Sequence, residues 1–246
     1  MNVYSEHYTA RYHEMGQDRR LRVQCLCNYL EEAASCHADA LGLGLSTLAE
    51  DGLAWVLAKM RLRMEHRPGP GEGFRVDTWP VAIDRLQFRR DFEVFDDHGQ
   101  VIARAVTQWV VMNVASRRLE RFPLRITAHR PESPRFAMEN GDIRIPALGD
   151  NAVTGPSFPV RLADIDQNTH VNNGRYIDFA LEAAHDSGMA NGNLKEMDII
   201  FRAEGRRGDS IGSRSEMESH ATQSMLHSLF REGDGQELAR ARTIWG

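Results

Sequence analysis

The stretch Gly99-Gln100-Val101-Ile102-Ala103-Arg104-Ala105-Val106-Thr107-Gln108-Trp109 returns late in the chain as Gly235-Gln236-Glu237-Leu238-Ala239-Arg240-Ala241-Arg242-Thr243-Ile244-Trp245, with seven of eleven positions identical. A shorter pair precedes it in the same order: Leu62-Arg63-Met64-Glu65 and Phe201-Arg202-Ala203-Glu204, followed by glycine-containing breaks at Gly69 and Gly208. Ordered self-similarity of this kind marks tandem structural units. Two unrelated hairpins would share turn residues, but the identities here run beyond the Asp/Gly positions that hairpins favour.

Working outward, each copy reads as one helix followed by strands. In the first, Leu26, Leu30, Ala33, Ala34, His37 and Leu41 recur at helical spacing up to Gly42. The period then becomes two, with Val56, Ala58, Met60, Leu62 and Met64 alternating with basic side chains. Further strands are predicted at Phe74–Thr78, Phe88–Phe95 and Val101–Val111, the last two joined by the turn Asp96-Asp97-His98-Gly99. In the second copy a helical stripe, Tyr176, Ile177, Ala180, Leu181, Ala183 and Ala184, ends near Ser187-Gly188. Strands are predicted after it at Met197–Glu204, Arg214–His220, Gln223–Arg231 and Glu237–Trp245. Six of the nine prolines fall between Pro123 and Pro159, where periodicity fades. The expected organisation is an N-terminal unit over 1–128, a linker over 129–156 and a C-terminal unit over 157–246. The fold class is α+β, one helix on an antiparallel sheet, given twice.

Composition excludes several function classes. With a formal charge of -5, the chain lacks the excess of basic residues typical of nucleic-acid binders. No run approaches the ~18 apolar residues of a membrane span, and the polar first residues from Met1 to His13 contain no secretory h-region. The three cysteines, Cys25, Cys27 and Cys36, make a poor disulfide framework and read as reduced thiols of a cytoplasmic protein, Cys25-x-Cys27 being too sparse for zinc. Neither a metal nor a cofactor is expected.

The densest group of functional side chains is Asp164-Ile165-Asp166-Gln167-Asn168-Thr169-His170-Val171-Asn172-Asn173, just ahead of the second helix. Alternation predicts an extended segment with Asp166, Asn168 and His170 on one side, running into a helix start whose amides favour negative charge. Donors that polarise a carbonyl, beside a carboxylate and an imidazole that manage a water, are parts for acyl transfer to water. Asp164 reads as a turn or cap residue. A calcium loop fails, because its sixth position is Thr169 where glycine is needed and its twelfth is Arg175 where glutamate is needed. Glu204, at a strand end before Gly205-Arg206-Arg207-Gly208, is a further candidate base. Its repeat partner in the alignment is Glu65, and the segment Met15-Gly16-Gln17-Asp18-Arg19-Arg20-Leu21 before the first helix lacks the Asp-x-Asn-x-His set. The first unit therefore reads as chemically silent.

These residues resemble the acyl-ACP thioesterase family across nearly the whole chain. The resemblance rests on Asp164 to Asn173 with Tyr176, and on Ile200-Phe201-Arg202-Ala203-Glu204. In the first half it rests on Glu31-Glu32-Ala33-Ala34 with His37, Gly52-Leu53-Ala54-Trp55-Val56-Leu57, Thr78-Trp79-Pro80, Arg89-Arg90-Asp91-Phe92 and Ser116-Arg117-Arg118-Leu119. It implies a double hotdog fold, hydrolysis of fatty acyl-ACP thioesters, and catalytic roles for Asp166, Asn168, His170 and Glu204. It also implies a first unit that shapes the acyl pocket. Many plant members carry a cysteine after the glutamate; here Gly205 stands there, which removes thiol attack at that position. An acidic carrier calls for a locally basic docking face, for which Arg89, Arg90, Arg117, Arg118 and Arg121 are the candidates. The alternatives are an acyl-CoA thioesterase on the same scaffold and a non-catalytic acyl-binding hotdog protein. A monomer and a homodimer both satisfy a tandem chain.

Overall fold

A computed structural model describes residues 3–83, 86–139, 142–218 and 223–246. The chain forms two compact units, Met1–Gly141 and Asp142–Gly246.

The first unit opens with strand β1 (Tyr4–Thr9) and a 3-10 turn (Tyr12–Glu14). Helix α1 (Val23–Ala40) and the short α2 (Leu45–Glu50) follow, then β2 (Leu53–Met64), β3 (Gly73–Ile83), β4 (Phe88–Asp96), β5 (Val101–Asn113), β6 (Leu119–Glu120) and α3 (Leu124–Thr127). Its antiparallel sheet has the order β1-β3-β4-β5-β2, with β6 on β5. The apolar stripe of α1, including Leu26, Leu30, Ala33 and Ala34, is buried, and α1 lies on β3. The helix stops where Gly42 takes φ +68, a conformation glycine reaches without cost. A second cluster, Leu43, Leu48, Ile83, Phe88, Val111, Phe122 and Ile126, seats α2 and α3 on the sheet.

The second unit repeats the plan with β7 (Val153–Pro159), a 3-10 turn (Leu162–Asp164), α4 (Asn173–Asp186), β8 (Leu194–Phe201), β9 (Ser210–Met217), β10 (Ser224–Arg231) and β11 (Glu237–Trp245). Its sheet order is β8-β11-β10-β9-β7. Tyr176, Ile177, Ala180, Ala183 and Ala184 are buried as α4 packs on β7, β9 and β10.

Three sequence expectations change. The N-terminal residues form β1, whose alternate exposure along Tyr4–Thr9 is that of an edge strand on β3; the same role falls to β7, which begins at Val153 inside the stretch read as linker. The strand predicted over Arg214–His220 starts earlier, at Ser210, and Ser219 and His220 lie outside the described residues. The strand predicted over Met197–Glu204 ends at Phe201, because Arg202 N and Ala203 N both donate to Leu238 O and the ladder cannot continue. Glu204 is thereby placed in a loop.

The two units also carry the same buried polar rung across β3-β4-β5 and β9-β10-β11. In the second unit His227 Nδ1 lies 2.8 Å from Ser215 Oγ and Nε2 lies 2.8 Å from Thr243 Oγ1, while Trp245 Nε1 donates to Thr243. Burial pushes the His227 imidazole down to about 4, so the ring is neutral. In the first unit Arg90 takes the place of His227, donating to Thr78 Oγ1 and to His37 Nδ1, and Trp109 Nε1 donates to Thr107.

Candidate active site

Both 3-10 turns lead into a closed loop locked by an antiparallel bridge, Met15 with Leu21 and Ile165 with Val171. In the second unit Asp166 N donates to His170 O at 2.9 Å and Thr169 N donates to Asp166 O at 3.0 Å. Thr169 sits at φ +65 and its counterpart Arg19 at φ +60, so each loop turns through a left-handed residue. The extended segment predicted from alternation is therefore a tight loop. The Asp and Asn positions drive this: Asp166 Oδ1 accepts from Asn168 N at 2.8 Å, a side-chain-to-backbone closure that short carboxylates favour.

Asp164 anchors the loop from below, as the sequence implies. Its carboxylate, fully buried, accepts from Arg161 N, Nε and Nη2, and Arg175 Nε lies 3.3 Å away. Burial pushes this carboxyl up, but the Arg161 hydrogen bonds and the Arg161 and Arg175 charges outweigh that and hold it below the usual carboxylate range. A depressed folded value stabilises above the unfolded carboxylate range and is lost as pH falls through the folded value. Asp164→Asn should therefore cost about 2 kcal/mol at neutral pH, read from urea midpoints, with the deficit shrinking below about pH 4. A deficit that persists unchanged in acid would contradict this.

The loop returns His170 to the end of β8. His170 Nε2 lies 2.9 Å from Glu204 Oε2, with the two side chains 18% and 31% exposed. The main chains behind them are joined as well, Val171 N donating to Gly205 O at 2.9 Å. Asp166 is half-buried and Asn168 is exposed on the same loop. The helix start is more occupied than the sequence suggests: Asn172 Oδ1 caps Gly174 N at 2.8 Å. The first helical amide, Asn173 N–H, has no acceptor within the helix.

Superposing the hydrogen bonds of the two units corrects the repeat alignment. Glu65 N and His66 N donate to Ile102 O as Arg202 N and Ala203 N do to Leu238 O, and Leu21 N donates to Pro68 O as Val171 N does to Gly205 O. The turn glycines with positive φ are Gly71 and Gly208, not Gly69 and Gly208. Arg67, not Glu65, is thus the structural counterpart of Glu204, and Arg20 that of His170. Arg67 is paired with Asp18, which stands where Asn168 is. The loop after β2 differs in composition from that after β8, so identities alone pulled the alignment two residues out of register.

Arg89 and Arg90 are not docking residues, being 7% and 4% exposed. Arg89 makes a bidentate pair with Asp91 at 2.7 and 2.9 Å and donates to Met138 O, and Arg90 is held by His37 and Thr78. Arg117, Arg118 and Arg121 are exposed. A Gly-x-Ser-x-Gly run, Gly208-Asp209-Ser210-Ile211-Gly212, follows the Glu204 loop. Its serine opens β9 with Oγ 2.8 Å from Ser157 Oγ, rather than sitting on a strand-to-helix elbow.

The acyl-ACP thioesterase N-terminal domain model matches residues 1–129 and the acyl-ACP thioesterase C-terminal domain model matches residues 150–246. This chain belongs to the acyl-ACP thioesterase family. It is 29% identical to oleoyl-acyl carrier protein thioesterase 1, chloroplastic, of Arabidopsis thaliana over 98% of this chain and 75% of that protein. It is likewise 29% identical to palmitoyl-acyl carrier protein thioesterase, chloroplastic, of Cuphea hookeriana, over 99% of this chain but less than two thirds (62%) of that protein. Among solved structures, an acyl-ACP thioesterase from Bacteroides thetaiotaomicron superposes with a TM-score of 0.87 at 25% identity, covering 98% of this chain and 97% of that one. The double hotdog of this thioesterase family is thus the fold described above. No helix among the described residues is long and apolar enough to cross a membrane.

Proposed function

We propose that the chain hydrolyses fatty acyl-ACP thioesters at one site in the second unit, and that the His170–Glu204 pair carries the chemistry. The observation that supports this most is the 2.9 Å contact between two partly exposed side chains, whose counterparts in the first unit are arginines. Glu204 takes a proton from water as the water oxygen bonds to the thioester carbon. His170 orients the carboxylate and, as the C–S bond breaks, protonates the departing thiolate, regaining its proton from Glu204 across their 2.9 Å contact, so that free acid and ACP thiol leave and the pair is restored. The Asn168 carboxamide and the Asn173 amide donate to the oxygen that becomes negative. Asp166 serves by closing the loop that presents Asn168 and His170.

The docking face is the exposed hairpin after β5. Arg117, Arg118 and Arg121 there flank exposed Leu119 and Leu124, a basic surface with apolar contacts suited to an acidic carrier. Replacing the three arginines by alanine should raise KM for acyl-ACP by roughly tenfold at low salt and leave hydrolysis of a small acyl thioester unchanged. Equal effects on both substrates would remove this face. Comparing acyl-ACP and acyl-CoA of one chain length tests carrier selectivity, and profiling the free acids released in an expression host reads chain length. Cys25, Cys27 and Cys36, none of them in a disulfide among the described residues, are in keeping with the cytoplasm, where fatty acid synthesis would supply the substrate.

A further inference from the structure

Glu204 lies beyond the end of β8, in a loop where no ladder fixes its main chain. Three contacts do so instead. Arg231 Nη2 donates to Glu204 O at 2.8 Å, Gly205 N donates to Tyr176 Oη at 2.8 Å, and Val171 N donates to Gly205 O. Arg231 is itself fixed by Asp209 and Asp234 at 3.0 and 2.6 Å, and Asp209 Oδ2 also accepts from Arg206 N, closing the loop. Tyr176 is 2% exposed and comes from the second turn of α4, the helix that follows the His170 loop. Its hydroxyl is the acceptor that the buried amide of Gly205 requires.

Tyr176 also crowds position 205. A Cβ built there would stand 2.9 Å from Tyr176 Oη and 3.0 Å from Val171 Cγ2, both closer than ordinary contact. Gly205 has no positive φ, so the crowding at this position comes from these neighbours and not from the backbone. A side chain at 205 would require the Tyr176 hydroxyl and the Val171 methyl to shift.

We infer that Tyr176, with Arg231 acting from the opposite side, is a positioning residue that holds the Glu204 main chain so its carboxylate meets His170. The inference rests on the assignment of Glu204 above. It concerns a hydroxyl that acts through another residue, since the phenol is buried behind the pair. Only the acceptor is removed in Tyr176→Phe, the ring contacts with Phe179 and Phe201 being kept. A loosened carboxylate costs turnover and not acyl-ACP binding, because positioning is felt in the reacting geometry.

The test is steady-state hydrolysis of one acyl-ACP by Tyr176→Phe, Arg231→Gln, Glu204→Gln and each of the first two combined with Glu204→Gln, with Tm measured on all. The expected result is a kcat about tenfold lower for Tyr176→Phe and for Arg231→Gln, with KM within twofold. Added to Glu204→Gln, either should change the residual rate by less than about twofold, since there is no longer a carboxylate to position. Should Tyr176→Phe fold poorly, Arg231→Gln carries the same signature alone. Unchanged kcat in both, or losses that multiply with that of Glu204→Gln, would overturn the inference. A Glu204→Gln enzyme with full turnover would instead overturn the assignment beneath it.

Discussion

Glu204→Gln is expected to lower acyl-ACP turnover by about 10²–10⁴-fold, the range for a positioned acid-base group, and His170→Ala to fall in the same range. The two are in contact at 2.9 Å and act as one unit, so the double variant should lose scarcely more than the worse single one. Glutamine keeps the shape and an oxygen for His170 but cannot take a proton from water. Neither change empties a core, because both side chains are partly exposed, and Tm should move by only a few degrees. Losses that multiply in the double variant would mean that His170 and Glu204 serve separate steps. Asn168→Ala offers an internal comparison: as an oxyanion donor on an exposed turn it should cost about 10²–10³ in kcat and leave the loop folded.

The largest effect on stability is expected from Asp91→Ala. Asp91 is fully buried, receives Arg89 in a bidentate pair, and accepts from Ala137 N at 2.8 Å. One carboxylate thus ties β4 to the segment that carries Ala137 and Met138 across the first unit's sheet. Removing it takes the bidentate acceptor away from the buried Arg89 guanidinium, and breaking one side of a buried ion pair typically costs about 3–5 kcal/mol. For a chain of this size that is a fall in Tm of roughly 10 °C. A double replacement, Arg89→Met with Asp91→Leu, should restore much of the loss, since an apolar pair of similar volume avoids the desolvation of both charges. Equal instability of the single and double variants would show that the main-chain bond to Ala137, and not the broken ion pair, dominates.

Much of this was legible before any coordinates. The Gly99 and Gly235 repeats announced two units because hairpin β-strands preserve their inward small residues, Ala103, Ala105, Ala239 and Ala241, all of which are buried. Helical stripes at Leu26 and Tyr176 were readable because burial on one face imposes a period. The quartet we propose, Asp166, Asn168, His170 and Glu204, comes from the resemblance and from the crowding of Asp, Asn and His ahead of a helix. What the sequence hid were contacts made across the fold. Alternation at Asp166, Asn168 and His170 looks like a strand, while the left-handed turn at Thr169 depends on a bridge between Ile165 and Val171. Arg89 and Arg90 read as surface charges because the partners that bury them, Met138, His37 and Thr78, are distant in the chain. Likewise Arg67 was concealed as the counterpart of Glu204 by the better sequence match of Glu65, and Tyr176 reads as core because its hydroxyl partner, Gly205, is far along the chain.

The arginines in the first unit also give functional meaning to the repeat. Where the second unit has His170 and Glu204, the first has Arg20 and Arg67, neither of which takes a proton from water at neutral pH. On our proposal that substitution leaves one site per chain, with the first unit kept as fold and acyl pocket. The most direct measurement is therefore single-turnover hydrolysis of one defined acyl-ACP by Glu204→Gln beside Arg67→Gln, each checked for a native melting transition. Turnover should fall by at least about 10² in the first and be retained within a few-fold in the second. Comparable loss in both folded variants, or retained turnover in Glu204→Gln, would contradict it.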